Sequence, residues 1–311
     1  MAEEETPIRG CTGRLHLAIS QPKESARLLI AGYGAAGRAY AAGFRKEGAE
    51  VTAIDPFCDQ QSQNIALASD ISLRKQLPDD LQGFDLAIVL SPAAASLEII
   101  RQLAARLGTC PILDLTSSAP SAMQEAFCIL GDRLVDGTVL GAVGLGGLTT
   151  PMVFAGNRAE QVANTLRALG CKIACIEGDP GSASALKLLR SLFMKGLEAL
   201  VVETQLAAAA LGQTDGLQIA LADLAEVDMP EFLREMLRTH PKHAARRTHE
   251  IEAAEALVLE AGFKPFMLPA ARQLFARTAA TGSGPDETPE IALQWLDHHF
   301  NPRKQADHAT A

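Results

Sequence analysis

The sequence is poor in aromatic residues, which make up 5% of its 311 positions, with one tryptophan and two tyrosines. It has no long basic run, and its formal net charge is −9. Without a basic stripe interleaved with stacking rings, no nucleic-acid partner is expected. The local basic stretch from Arg238 to Arg247, which includes Lys242, reads equally as a solvated helix face or as an anion contact. No segment reaches the ~18 uninterrupted apolar residues of a membrane span. The cysteines (Cys11, Cys58, Cys110, Cys128, Cys171 and Cys175) are scattered and form no Cys-x-x-Cys pair. A chain this long needs no disulfides, so reduced thiols in a cytoplasmic protein are expected. Glu3, Glu4 and Glu5 carry the wrong sign for the start of a signal peptide. Metal-ligand spacings, a Gly-x-Ser-x-Gly elbow and a Walker lysine are all missing, which removes metal-dependent hydrolysis, serine esterase and nucleotide-triphosphatase chemistry from consideration.

What is abundant is alanine, leucine and glycine. Hydrophobic residues reach 48%, and strong helix formers dominate them. The length favours two domains. Residues 1–25 read as an irregular leader apart from Leu15–Ile19. Short apolar runs then alternate with helical spacing. Strands are expected at Arg27–Gly32, Glu50–Asp55, Leu86–Leu90, Pro111–Leu115, Leu134–Leu140, Met152–Ala155 and Ile173–Ile176, with helices at Ala35–Glu47 and Ala93–Leu107. This alternation predicts an α/β fold, a doubly wound and mostly parallel sheet over residues 26–180. Past Gly181 no strand is apparent. A long apolar helix is expected over Ser184–Leu211, with Ser182 or Ser184 as its cap. Further helices are expected at Gln218–Leu224, Pro230–Thr239, His243–Ala261 and Pro269–Ala280, making 181–311 an all-α domain with a frayed tail from 301.

The first chemical motif is Gly32-Tyr33-Gly34-Ala35-Ala36-Gly37, placed between a predicted strand and a predicted helix. Gly32 permits the tight turn, Gly34 lets a pyrophosphate approach the backbone, and Gly37 lets the helix pack on the strand. The helix start offers free N–H groups to phosphate. Asp55 closes the next strand, where a carboxylate accepts hydrogen bonds from an adenosine ribose. It favours NAD over NADP, because it repels a 2′-phosphate and no arginine follows it. Ser91 and Pro92 end a later strand on the same edge of the sheet, where doubly wound folds bind ligands. The motif in this context predicts a Rossmann domain.

Two more segments follow: Asp114-Leu115-Thr116-Ser117-Ser118-Ala119-Pro120, then Gly181-Ser182-Ala183-Ser184-Ala185-Leu186-Lys187. With the glycine motif, in this order, they resemble the β-hydroxyacid dehydrogenase family, relatives of 6-phosphogluconate dehydrogenase. Residues 27–210 carry the resemblance. His243-Ala-Ala-Arg246-Arg247 looks like a subgroup with a phosphogluconate-dehydrogenase-like C-terminal domain. The resemblance implies an NAD(P)-dependent dehydrogenase acting on a small hydroxy or oxo acid, with Lys187 as general acid/base on the helix joining the domains, and a homodimer formed through the helical domain. Gly141 falls in the family's substrate loop, where Leu140 replaces the usual serine. Ser191 stands where an asparagine is usual, with Arg190 beside it, and both are candidates for a substrate carboxylate. These departures leave room for an imine reductase or a decarboxylating dehydrogenase. A non-catalytic dinucleotide sensor is the third reading. Thr116 and Ser117 are expected either at the substrate or as a helix cap, and His243 and Arg246 either in an anion pocket or on a solvated face. Glu203 reads as a surface residue or an ion-pair partner. Lys187, Ser191, Met194 and Glu198 share one helix face, and Leu189, Phe193 and Leu200 are expected in the core on another.

Overall fold

The structure is a computed structural model and describes residues 25–116 and 118–301. The predicted leader, Ser117 and the tail from 302 therefore lie outside the described residues. The chain divides into two compact units after Arg190. This division falls inside a helix, later than the glycine-rich turn at 179–184 where the sequence places it.

The first unit is built on one eight-stranded sheet. Its strands are β1 (Arg27–Ala31), β2 (Glu50–Ile54), β3 (Ser72–Arg74), β4 (Leu86–Val89), β5 (Ile112–Asp114), β6 (Leu134–Val139), β7 (Met152–Ala155) and β8 (Ile173–Cys175). The spatial order is β3-β2-β1-β4-β5-β6-β7-β8. All neighbours run parallel except β6 and β7. Strand direction of connection reverses at β1, so a crevice opens beyond the ends of β1 and β4, the position where such sheets bind ligands. The intervening helices are α1 (Ala35–Lys46), α2 (Gln60–Ala68), α3 (Ala93–Ala104), α4 (Pro120–Leu130), α5 (Val143–Gly146) and α6 (Ala159–Arg167). Of these, α2, α4, α6 and the edge strand β3 were not apparent in the periodicity. They are short, and β3 carries Ser72 and Arg74 in a half-exposed edge position.

Alternation along β1 sends Leu28 and Ile30 to one face and Leu29 and Ala31 to the other. On the first face they join Tyr40 and Phe44 of α1 and Leu166 of α6. On the second they join Ile100 and Leu103 of α3 and Met123 of α4. Helices thus cover both faces, which is why the parallel strands read as continuous apolar runs.

The second unit is helical. The long α7 (Ser182–Ala210) is followed by α8 (Thr214–Ala220), α9 (Met229–Glu260), α10 (Met267–Ala280) and α11 (Pro289–Phe300). The two helices expected at Pro230–Thr239 and His243–Ala261 are one, with Pro241 buried in its interior. Proline lacks the N–H owed to the carbonyl of residue 237, at a cost of about 3 kcal/mol. Packing of α9 on α10 and α11 offsets it. Asp228 caps α9 through the Glu231 N–H at 3.0 Å, and Thr288 caps α11 through the Ile291 N–H at 3.2 Å. The α7 residues expected in the core are exposed instead: Leu189 at 59%, Phe193 at 47% and Leu200 at 45%. Nothing among the described residues covers them, and periodicity cannot distinguish a face buried within the chain from one left open.

Candidate active site

The glycines of the motif differ in what surrounds them. Gly32 has φ of +109°, and a Cβ there would meet the Leu90 carbonyl carbon and oxygen at 2.7 Å. Gly32 therefore brings the β1 turn against the Leu90–Ser91 peptide. A Cβ on Gly37 would lie 2.0 Å from the Gly32 carbonyl oxygen, so only glycine lets α1 sit this close to the turn. Around Gly34, by contrast, there is open space. Gly34 is the N-cap of α1, no side chain caps that helix, and its first turn holds no acidic residue. Ala35 and Ala36 begin the helix and leave its N–H groups accessible. An open cradle over uncapped amides suits a pyrophosphate.

Asp55 follows β2 directly. Its carboxylate accepts the Tyr33 N–H at 2.9 Å and the Phe57 N–H at 2.9 Å. The carboxylate is thereby held against the glycine turn, with acceptor capacity left for ribose hydroxyls. Ser91 and Pro92 follow β4 on the same edge, and the Ser91 hydroxyl donates to the Pro92 carbonyl at 3.3 Å. The glycine turn, Asp55 and Ser91 with Pro92 thus follow β1, β2 and β4 directly, on one edge of the sheet.

At the end of β5, Thr116 is buried, and its N–H and hydroxyl both donate to Asp114 Oδ1, at 2.7 and 2.6 Å. The Thr116 and Ser118 hydroxyls lie 2.6 Å apart, and Ser96 of α3 donates to Asp114 Oδ2. The N-cap of α4 is Ala119 without a side-chain cap bond, so Thr116 is not a helix cap. Burial pushes the Asp114 carboxyl above its ordinary range, against the lowering effect of its hydroxyl and amide donors. Lys187 is half-buried in the first turns of α7. Burial pushes its ammonium below the ordinary lysine value, and the Asp114 carboxylate pulls it back up. Arg190 is exposed on the same helix.

Asp136 and Asp114 are functional candidates to which sequence reasoning gave no role. Each is a buried acid closing an otherwise apolar run, Leu134-Val135-Asp136 and Ile112-Leu113-Asp114. That pattern was the available signal, because a buried carboxylate demands donors. Asp136 accepts from the Gly181 N–H at 2.8 Å, the Ser184 N–H at 3.0 Å and the Ser184 hydroxyl at 2.7 Å. The cap of α7 is therefore Asp136 from the sheet, and Ser184 serves it as a donor.

Gly141 is exposed beyond β6, with the Thr150 methyl 3.2 Å from where its Cβ would be. Ser191 is exposed on α7. In the second unit, His243 and Arg246 of α9 line one cavity of about 1050 Å³ together with His240 and Arg247. Arg246 pairs with Glu250, and Arg247 donates to the Thr239 hydroxyl at 2.9 Å. Burial lowers the His240 imidazole, and the Arg247 charge adds to that effect. The cavity is mostly apolar, lined by Phe232, Met236 and Phe275 among others.

Residues 22–116 match the family described as putative NAD(P)-binding, a span that takes in the glycine turn, Asp55 and Thr116. Residues 208–278 match a domain of unknown function, DUF1932, a span that takes in His243 and Arg246. An uncharacterised 28.5 kDa protein of Methanothermus fervidus is 23% identical over 233 residues, covering 75% of this chain and 91% of its own. Conserved protein MTH1747, described as structurally similar to 3-hydroxyacid dehydrogenases, superposes with a TM-score of 0.58 at 23% identity, over 82% of this chain and 97% of its own. An imine reductase from Aspergillus terreus, solved with NADPH4, superposes with a TM-score of 0.71 at 21% identity, over 86% and 98%. The first unit is an NAD(P)-binding domain of the Rossmann type, on a dehydrogenase/reductase fold. Beyond that domain the chain carries the DUF1932 region within its helical part.

Proposed function

We propose that the protein is an NAD-dependent dehydrogenase of a small hydroxy acid, with Lys187 as general acid/base. The observation that carries this reading is the half-buried Lys187 ammonium in the field of the Asp114 carboxylate, which ends β5. Bound NAD supplies a hydride acceptor at its nicotinamide. Oxidising an alcohol also requires removal of the hydroxyl proton, and a neutral Lys187 amine takes it. In the reverse direction the ammonium returns that proton to the carbonyl oxygen. Burial helps here, because it enlarges the neutral fraction of Lys187 near physiological pH. Arg190 and Ser191, exposed on the same helix, are the proposed contacts for the substrate carboxylate, with Gly141 at the loop beyond β6 and Thr116 and Ser117 after β5. The pinned Asp55 carboxylate supports NAD over NADP through repulsion of a 2′-phosphate.

A second reading, reduction of a C=N bond, is favoured by the likeness to an imine reductase, with its TM-score of 0.71. The same lysine would then protonate the developing amine nitrogen. Supplying NADH with a panel of short 2- and 3-oxo acids in one arm and cyclic imines in the other distinguishes the two. Oxo-acid reduction is the expected result, and imine reduction alone would replace the first reading with the second.

A further inference from the structure

The strand β6 carries a carboxylate in a buried stretch. Asp136 has no exposed surface. An ionised carboxylate removed from water is costly unless donors surround it. Its donors are the Gly181 N–H, the Ser184 N–H and the Ser184 hydroxyl, all at the entrance to α7. The helix has no acidic residue of its own in the first turn to satisfy these amides. Gly181 has φ of +108°, and a Cβ there would lie 3.1 Å from the Pro120 carbonyl oxygen, so the chain can enter the helix along few paths. Asp114, directly opposite Asp136 in the strand register, is served by a different set: Thr116 and Ser96. The two neighbouring acids therefore hold different elements, Asp114 the loop after β5 and Asp136 the start of α7.

We infer that Asp136 is a positioning residue for Lys187, tying the first turn of α7 to β6 and so fixing where the lysine stands beside Asp114. Lys187 lies one turn beyond Ser184 on the same side of the helix. Any rotation or slippage of the first turn carries it along. The consequence for turnover rests on the acid/base role proposed for Lys187, whereas the tie itself does not.

The test uses the full-length chain, its lysines reductively methylated with ¹³C-formaldehyde and observed by NMR. The Lys187 signal is assigned by its absence in Lys187→Arg. Hydrogen exchange is followed by mass spectrometry on the same proteins. Asp136→Asn removes the negative charge that these donors serve and replaces one of its two acceptor oxygens with an NH₂ group, which can face only the Ser184 hydroxyl. Exchange at the start of α7 is expected to rise about 10- to 100-fold while β4 and α3 keep their protection. The Lys187 titration moves towards that of an exposed lysine. Ser184→Ala, which removes one of the three donors, moves both readings the same way by less. Unchanged exchange and an unchanged Lys187 titration in Asp136→Asn would overturn the inference. If Asp136→Asn fails to fold, Ser184→Ala decides, and a wild-type Lys187 titration in that variant overturns it equally. Turnover separates this inference from the reading it serves. Activity retained in Lys187→Ala removes the acid/base role and leaves the tie standing. A wild-type kcat in Asp136→Asn with a loosened α7, while Lys187→Ala is dead, removes the positioning role alone.

Discussion

Gly34 and Gly37 lie three positions apart in one motif, yet the space around them differs completely. Gly34→Val points a side chain into open space, so the fold should keep its thermal midpoint while NADH binding, followed by fluorescence titration, is lost. Gly37→Ala drives a methyl to within 2.0 Å of a backbone oxygen, so it should lower the midpoint as well. Equal loss of stability in both would contradict the assignment of the cradle to Gly34. Lys187 gives a second prediction at this scale. Oxidation needs its neutral form, so kcat/KM should rise with pH through a lysine titration lying below the ordinary value. The Asp114 carboxylate holds that titration up. In Asp114→Asn the alkaline-side gain should therefore begin at lower pH, and a limb that stays put would show that Asp114 does not act on Lys187. Legibility in the sequence was uneven at this scale. The glycines and Asp55 stood out because backbone geometry admits few alternatives there. Asp136 did not, because its donors, Gly181 and Ser184, come from an element far along the chain, and Asp114 did not, because its burial against Ser96 of α3 shows only in the fold.

Elements show the same contrast. Strands β1, β4 and β7 were legible because burial on both faces leaves a solid apolar run. The short α2 and the edge strand β3 were not, since neither has a long periodic stripe. The continuity of α9 through Pro241 was also hidden, because the compensating contacts come from α10 and α11. Glu203, which sequence reasoning left undecided, is buried in α7 and accepts the N–H groups of Phe266, Met267 and Leu268 at the start of α10. Its burial opposes ionisation, but these amides win and hold the carboxyl below its ordinary value. Glu203→Ala should cost about 1–2 kcal/mol through the lost cap, lowering the thermal midpoint by roughly 3–8 °C. A group with a depressed folded-state pKa contributes above its unfolded pKa and loses that contribution as pH falls through the folded value. The gap between wild type and Glu203→Ala should therefore shrink in acid, and a constant gap would rule out the ionised cap.

On the scale of the whole molecule, the exposed apolar face of α7 needs an explanation. Leu192 is 71% exposed and Val201 51%, alongside Leu188, Phe193 and Leu206. Monomeric proteins rarely leave such a continuous patch in water. Pairing of two copies of this chain would cover it, so light scattering behind size exclusion should give twice the chain mass of 32.9 kDa. Leu192→Glu with Val201→Glu should return it to the single mass. A wild-type monomer would refute the pairing. No helix among the described residues is long and apolar enough to cross a membrane, so the patch is not a membrane span.

The central claim is that Lys187 moves the proton while NAD accepts hydride from a hydroxy acid. The most direct measurement supplies NAD⁺ and NADP⁺ separately with a panel of 2- and 3-hydroxy acids, following nicotinamide absorbance for wild type and Lys187→Ala. The account predicts turnover with at least one acid, faster with NAD⁺. It also predicts a fall of about 10²–10⁴-fold in Lys187→Ala, with NADH affinity unchanged. Turnover that survives the substitution would contradict it.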